Sequence, residues 1–160
     1  MIRPLRAVKK ETRIIGLDTC NPDLAVGVVV RGGFYLDGVI SFLPEPSDAS
    51  KTSARRIIET VYFPELRAIM LHDPNDQLDS TVVERVANLP TMAISERKPH
   101  HGRGYSVFQG NLGRLWIKTR FESTTLKKIL SVSWTIDKLP EPLRVAHLVA
   151  KLKVQKRGSS

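Results

Sequence analysis

The chain has 160 residues, with 25 Lys+Arg against 16 Asp+Glu, a formal charge of +9 and one cysteine. That length fits one domain, expected over residues 1–155 with residues 156–160 as a disordered tail, and a domain of this size buries about 68–70% of its unfolded surface without a disulfide or metal staple. Cys20 alone excludes an internal disulfide framework, no run approaches the ~18 apolar residues of a membrane span, and no signal-peptide core follows Arg3, Arg6, Lys9 and Lys10, so the sequence reads as a soluble cytoplasmic protein.

After the basic arm, Thr12–Leu17 predicts a buried strand that delivers one carboxylate, Asp18, to the edge of a sheet. Asn21-Pro22-Asp23 is turn chemistry, because asparagine caps turns and proline fixes its backbone angle. Leu24–Val30 holds four valines and reads as a second strand. Arg31-Gly32-Gly33 supplies a tight connection, and Phe34–Phe42 returns as the third member of an antiparallel meander. Two prolines in Leu43–Ser50 end the sheet there. A helix is expected over Lys51–Tyr62, capped by Asp48 or a neighbouring serine, with Ile57, Ile58, Val61 and Tyr62 as its apolar face. Leu66–Leu71 gives a fourth strand closed by His72 and Asp73. Asp79 or Ser80 caps a helix bearing Val82, Val83 and Val86, and Pro90–Ile94 gives a fifth strand. Beyond a basic loop, Leu115–Arg120 reads as a last strand and Ser123 caps a short helix to about Val132. Pro140-Glu141-Pro142 opens the final helix, with Leu143, Val145, Ala146, Leu148 and Val149 inward.

This order is α/β: a mixed sheet, an antiparallel meander followed by parallel strands, flanked by helices. Ligands collect at the carboxyl ends of parallel strands. If the first, fourth and fifth strands are parallel neighbours, Asp18, the His72-Asp73 pair and Ser95–Lys98 converge on one edge. Charge is divided along the chain, residues 1–80 holding 10 Lys+Arg against 11 Asp+Glu and residues 81–160 holding 15 against 5. Basic side chains that neutralise phosphates release condensed counterions, so the second half suits nucleic acid as a partner; a merely solvated basic domain is the alternative.

Three segments carry a family resemblance: Lys9-Lys-Glu-Thr-Arg-Ile-Ile-Gly-Leu-Asp18, Arg31-Gly-Gly-Phe-Tyr-Leu-Asp-Gly-Val39 and Pro140-Glu-Pro-Leu-Arg-Val-Ala-His-Leu-Val-Ala150. With Asp79 and Pro90, they make the chain resemble, over nearly its whole length, the archaeal domain of unknown function 99 proteins, considered relatives of endonuclease V. The resemblance implies a ribonuclease-H-like fold and a divalent-metal-dependent endonuclease acting on DNA, with deaminated bases such as deoxyuridine as substrates. The sequence departs from the family pattern at four places. Thr19 stands where a second aspartate is usual, and His72-Asp73 stands where Asp-Gly is usual. A Gly-Phe-Asn segment before Asp79 is missing, and Pro99–Gly113 is abbreviated. The alternative is a catalytically inactive nucleic-acid-binding domain of the same fold.

The resemblance implies Mg²⁺ or Mn²⁺ held by oxygen ligands, with Asp18, Asp37 and Asp73 as metal ligands. Asp18, Asp37 and Lys98 are the catalytic candidates, Lys98 through a scissile phosphate. Arg97, His100, Arg103, Arg144 and His147 are the nucleic-acid contacts. Each has a plainer reading. Strand-end acids such as Asp18 often only cap turns. Asp37 alternates with Phe34 and Leu36, which fits an exposed face, although an acid in an apolar strand needs a partner or a metal. Asp73 lies in a His-Asp-Pro-Asn turn, where His72 could serve a softer metal or act as a general base. Asp79 caps a helix, and Lys98, His100 and His101 fit a solvated loop. Arg144 and His147 share a helix face by their spacing, and Glu141 suits the helix dipole. Cys20, with no His or second Cys near it in sequence, reads as a small packing residue.

Overall fold

The computed structural model describes residues 2–33, 35–100 and 102–158. Phe34 of the expected third strand, His101 of the basic loop and residues 159 and 160 of the expected tail lie outside the described residues. In chain order the elements are β1 (Arg13–Asn21), β2 (Leu24–Arg31), β3 (Tyr35–Phe42), α1 (Ala49–Ile58), β4 (Leu66–His72), α2 (Ser80–Ala87), β5 (Thr91–Ser95), β6 (Ser106–Gly110), β7 (Gly113–Lys118), α3 (Ser123–Ser133) and α4 (Glu141–Gly158). Among the described residues the strands form one seven-stranded sheet in the order β3-β2-β1-β4-β5-β7-β6. β1 pairs antiparallel with β2 and parallel with β4, β4 pairs parallel with β5, and β7 returns antiparallel beside β5. The expected mixed sheet is therefore present, with the parallel strands adjacent and helices on both faces, an arrangement consistent with a ribonuclease-H-like fold.

Period-2 alternation along β1 decides what faces where. Ile15 and Leu17 enter one apolar layer with Ile57 of α1 and Val83 and Ala87 of α2. Ile14 enters the opposite layer, where Met70, Met92 and Ile94 meet Ile129 and Leu130 of α3 and Leu143 of α4. Val26, Val28 and Val30 of β2 extend that side beneath Ala146 and Ala150 of α4. Gly16 and Asp18 share the side of Ile14, so Asp18 is aimed under α4. Glycine is required at position 16 because α4 rests directly on β1: a Cβ there would stand 2.5 Å from the Pro142 carbonyl carbon. From that contact His147 is five residues along the helix, roughly 7.5 Å, and Asp18 two residues along the strand, roughly 6.6 Å. The two advances match, which brings His147 over Asp18.

Four expectations are corrected by local physics. α1 stops at Ile58 rather than Tyr62, because the Thr60 hydroxyl donates to the Ile57 carbonyl at 2.8 Å and the chain tightens into a 3-10 turn over Phe63–Glu65. Its buried side is Ala49, Ser53, Ala54 and Ile57, and Val61 is 85% exposed. β6 has no counterpart in the sequence reading, since it is an edge strand paired only with β7 and shows no buried stripe. Ser123 is the first residue of α3, with Glu122 at the cap position. Leu148, expected inward on α4, is 47% exposed. The cap on α2 is as expected, the Asp79 carboxylate accepting from the Thr81 amide at 2.9 Å.

Candidate metal and nucleic-acid site

Parallel register sets Asp18 directly beside His72, and the alternation of both strands sends the two side chains toward α4. Asp18 is fully buried. Its Oδ1 accepts from the Cys20 amide at 2.7 Å, and its Oδ2 lies 3.0 Å from Nδ1 of His72 and 2.8 Å from Nδ1 of His147. On its other side His72 reaches Glu96, just beyond β5, with Nε2 3.1 Å from the carboxylate. The sheet and α4 thus assemble one row, Glu96, His72, Asp18, His147. A carboxylate faces each ring nitrogen of His72, an arrangement that favours its doubly donating, protonated form.

Burial pushes the His72 pKa down, but its hydrogen bond to Asp18 and the charges of Asp18 and Glu96 outweigh that and hold it above the ordinary histidine value. Burial pushes Asp18 up; the hydrogen bonds from His72 and Cys20 outweigh it and bring the carboxyl below the usual range. The Cys20 thiol is pushed up to about 12, first by burial and then by its hydrogen bond to Asp18 and that group's negative charge.

The expected site residues divide sharply. Asp18 and His147 come together, and Cys20 joins them: one ligand atom from each lies within 4.8 Å of the others. Cys20 also packs against the valines of β2 and the alanines of α4, as expected of a small packing residue, while the histidine it lacks in sequence arrives on α4. Asp37 does not join the group. It lies in ion pairs with Arg13 at 2.8 Å and Arg31 at 3.3 Å, at the end of the sheet where β1 begins. Five residues of strand separate Arg13 from Asp18, roughly 16 Å, so Asp37 cannot share an ion with it. Asp73 is also corrected as a ligand. Its carboxylate accepts from the Thr19 hydroxyl at 2.6 Å and from the Gln77 and Leu78 amides at 3.1 and 2.6 Å, which is turn chemistry. Arg144 is held by both oxygens of Glu141, at 2.7 and 2.6 Å, which engages one edge of its guanidinium in a pair within its own helix.

A cleft of about 1260 Å³ opens over the carboxyl ends of β4 and β5. Arg97, Lys98, His100 and Arg103 all line it, joined by Lys118 of β7 and by His72 and His147. Arg97, Lys98, His100 and Arg103, all expected to meet nucleic acid, therefore share one cavity with the histidines that grip Asp18. Glu96 and Lys118 escaped the sequence reading. For Glu96 a signal existed: two residues beyond Ile94, it keeps the face of Met92 and Ile94, the face of Asp18.

These donors decide what kind of ion fits. Two magnesium ions need several free carboxylates, whereas here Asp37 is remote and Asp73 is committed to its loop. A magnesium pair does not fit. A single ion fits better, with oxygen from Asp18, sulfur from Cys20 and nitrogen from His147.

In sequence, the chain is similar to the UPF0215 protein of Methanopyrus kandleri, 28% identical over 91% of this chain and 93% of that protein. A UPF0215 protein of Methanothermobacter thermautotrophicus is also 28% identical, over 91% and 89%. Its homologues are archaeal UPF0215 proteins. No protein-family model matches the sequence. In structure the chain is similar to a protein of unknown function from Archaeoglobus fulgidus, with a TM-score of 0.74 and 21% identity over 88% of this chain and 97% of that one. It is also similar to Marinitoga piezophila Argonaute in complex with guide RNA and target DNA, with a TM-score of 0.57 and 10% identity over 89% of this chain and 29% of that one. At such identities structural likeness establishes the fold alone. Among the described residues no helix is long and apolar enough to cross a membrane.

Proposed function

We propose that the chain is a divalent-metal-dependent endonuclease that holds DNA in the cleft at the carboxyl ends of the parallel strands and cuts beside Asp18. One observation carries this reading: His147, bonded to the buried Asp18, lines the same cavity as Arg97, Lys98, His100 and Arg103. A potential ion site and a group of basic side chains therefore open onto one space, which Asp73, Asp76, Asp79 and Glu96 also line. The shared fold of an Argonaute holding guide RNA and target DNA supports a nucleic-acid partner. Deaminated bases are the substrates suggested by the resemblance to the domain of unknown function 99 proteins and endonuclease V.

Arg97, Lys98 and Arg103 neutralise backbone phosphates and set the strand in register, Lys98 nearest the bond to be cut. His72, fixed between two carboxylates, keeps Asp18 ionised and oriented. Asp18 and His147 are the residues that would hold the divalent ion. Such an ion supplies a more acidic water and polarises a phosphoryl oxygen.

The test is cleavage of a uracil- or hypoxanthine-containing duplex with Mn²⁺ or Mg²⁺. Asp18→Asn is expected to lower the rate by at least about 100-fold, the scale of losing one charged group in the reacting site; equal rates in both proteins sink the reading. Four or five phosphate contacts predict a log–log salt slope of about −4 for binding. A second reading, an inactive nucleic-acid-binding domain, is favoured by one observation: both Asp18 oxygens already accept hydrogen bonds. Binding that survives Asp18→Asn, with no cleavage under any divalent ion, selects it.

A further inference from the structure

We propose that Asp18, Cys20 and His147 bind one divalent transition ion of the zinc or cobalt type, with a thiolate among its ligands and its remaining position left to water. The strand itself builds half of this site. Asp18 lies under α4, Cys20 packs against the cluster that contains Ala146 and Ala150 of that helix, and the Gly16–Pro142 contact delivers His147 to the same place. The three ligand atoms lie within 4.8 Å of one another, close enough for one ion to sit among them after small side-chain rotations.

Donor chemistry selects the ion. Magnesium prefers oxygen ligands in an octahedron and keeps its waters, whereas a carboxylate, a thiolate and an imidazole are the mixed set that zinc and cobalt take tetrahedrally. Three protein ligands with a fourth position left to water is the pattern of a reactive rather than a closed structural site. His147 lines the cleft, so the ion would adjoin the cavity holding the basic loop on the side of this ligand. Outer support is also present. The Asp18 oxygen that His147 touches is gripped by His72, which Glu96 holds in turn; such second partners orient a ligating carboxylate. Any use of the ion in cutting DNA rests on the endonuclease reading; its binding does not.

The test is a titration of the EDTA-treated full-length protein with Co²⁺. One equivalent is expected to give the visible bands of tetrahedral cobalt and a near-ultraviolet thiolate-to-cobalt band, both abolished by Zn²⁺ and unaffected by excess Mg²⁺. Cys20→Ser, with an unchanged circular dichroism spectrum, is expected to lose the near-ultraviolet band. Zinc binding by the unmodified protein is expected to release about one proton near neutral pH, a readout that needs no variant to fold. His147→Gln is expected to weaken cobalt binding by on the order of 100-fold. A wild-type protein without saturable cobalt bands overturns the proposal, and so does a thiolate band that survives Cys20→Ser. Cobalt bands in a protein that cuts no DNA leave this site standing and end the endonuclease reading; Mg²⁺-driven cleavage by a protein without them does the reverse.

Discussion

The two ends of β1 each meet a mostly enclosed aspartate, and they treat it in opposite ways. At the first end Asp37, its side chain 15% exposed, is clasped by Arg13 and Arg31. At the other end Asp18, with no exposure, is clasped by His72 and His147 and touched by Cys20. Guanidinium groups keep their protons and cannot ligate a metal. Imidazole and thiol groups exchange protons and do ligate metals. Burial alone therefore says little about which acid is functional; the chemistry of its partners separates a structural clasp from a site able to exchange those partners for an ion or a substrate.

The sharpest way to break that contrast is Asp18→Asn. The amide leaves the His72 cation with Glu96 alone inside the sheet edge, and removing one partner of a buried pair costs about 3–5 kcal/mol. Urea unfolding measures it, and a loss below about 1 kcal/mol would mean that His72 is not charged. Gly16→Ala comes next. The added methyl meets the Pro142 backbone, which has no flexible end to yield, so α4 must lift from β1 at a cost of about 1–3 kcal/mol. Because α4 carries His147, cobalt affinity should fall in the same variant. Unchanged affinity would show that the helix seat does not set the site.

A third effect is a pH dependence at the Asp18 end. The folded pKa of His72 is raised above 6.5, so as pH climbs past 6.5 the unfolded chain releases the proton first while the native protein keeps it. Native protein then binds more protons, and stability falls with rising pH. The contribution is complete below about 6.5 and is lost as pH passes through the folded value. For Asp18 the folded pKa is lowered, so its contribution is present above the unfolded value and disappears as pH drops through the folded one. Denaturation of the metal-free protein from pH 6 to 9 should show a decline that His72→Gln flattens. A wild-type curve as flat as that of the variant rules out the cation.

Much of this architecture is legible in the chain. The apolar run ending at Asp18, the valines of β2 and the order of strands and helices point to a mixed sheet, in which Asp18 and His72 converge once the first, fourth and fifth strands are parallel neighbours, as they are. The link to His147 is not legible, because it spans 129 residues and depends on a helix seated on one glycine. Asp37 misleads for a related reason. A shift in the β2–β3 register between Val29 and Val30 turns it toward Arg31, and Arg13 reaches it only because β1 lies on the other side of β2. Neither fact has a periodic signature. β6 is hidden because an edge strand half in solvent has no buried stripe to reveal it.

The smallest expected effect tests the contrast from its quiet end. In Asp37→Asn, Arg13 keeps Glu65 at 3.1 Å, so only Arg31 loses its carboxylate, and both arginines have access to water. Such partly exposed pairs contribute about 1 kcal/mol or less, so urea unfolding should shift by no more than that. DNA binding, its salt slope and the cobalt spectrum should be unchanged, because roughly 16 Å of strand lies between the two ends and none of the ligand atoms touches Asp37. If cobalt affinity or cleavage instead falls in Asp37→Asn as far as in Asp18→Asn, the two ends are coupled through β1. Asp37 would then serve the site despite its arginines.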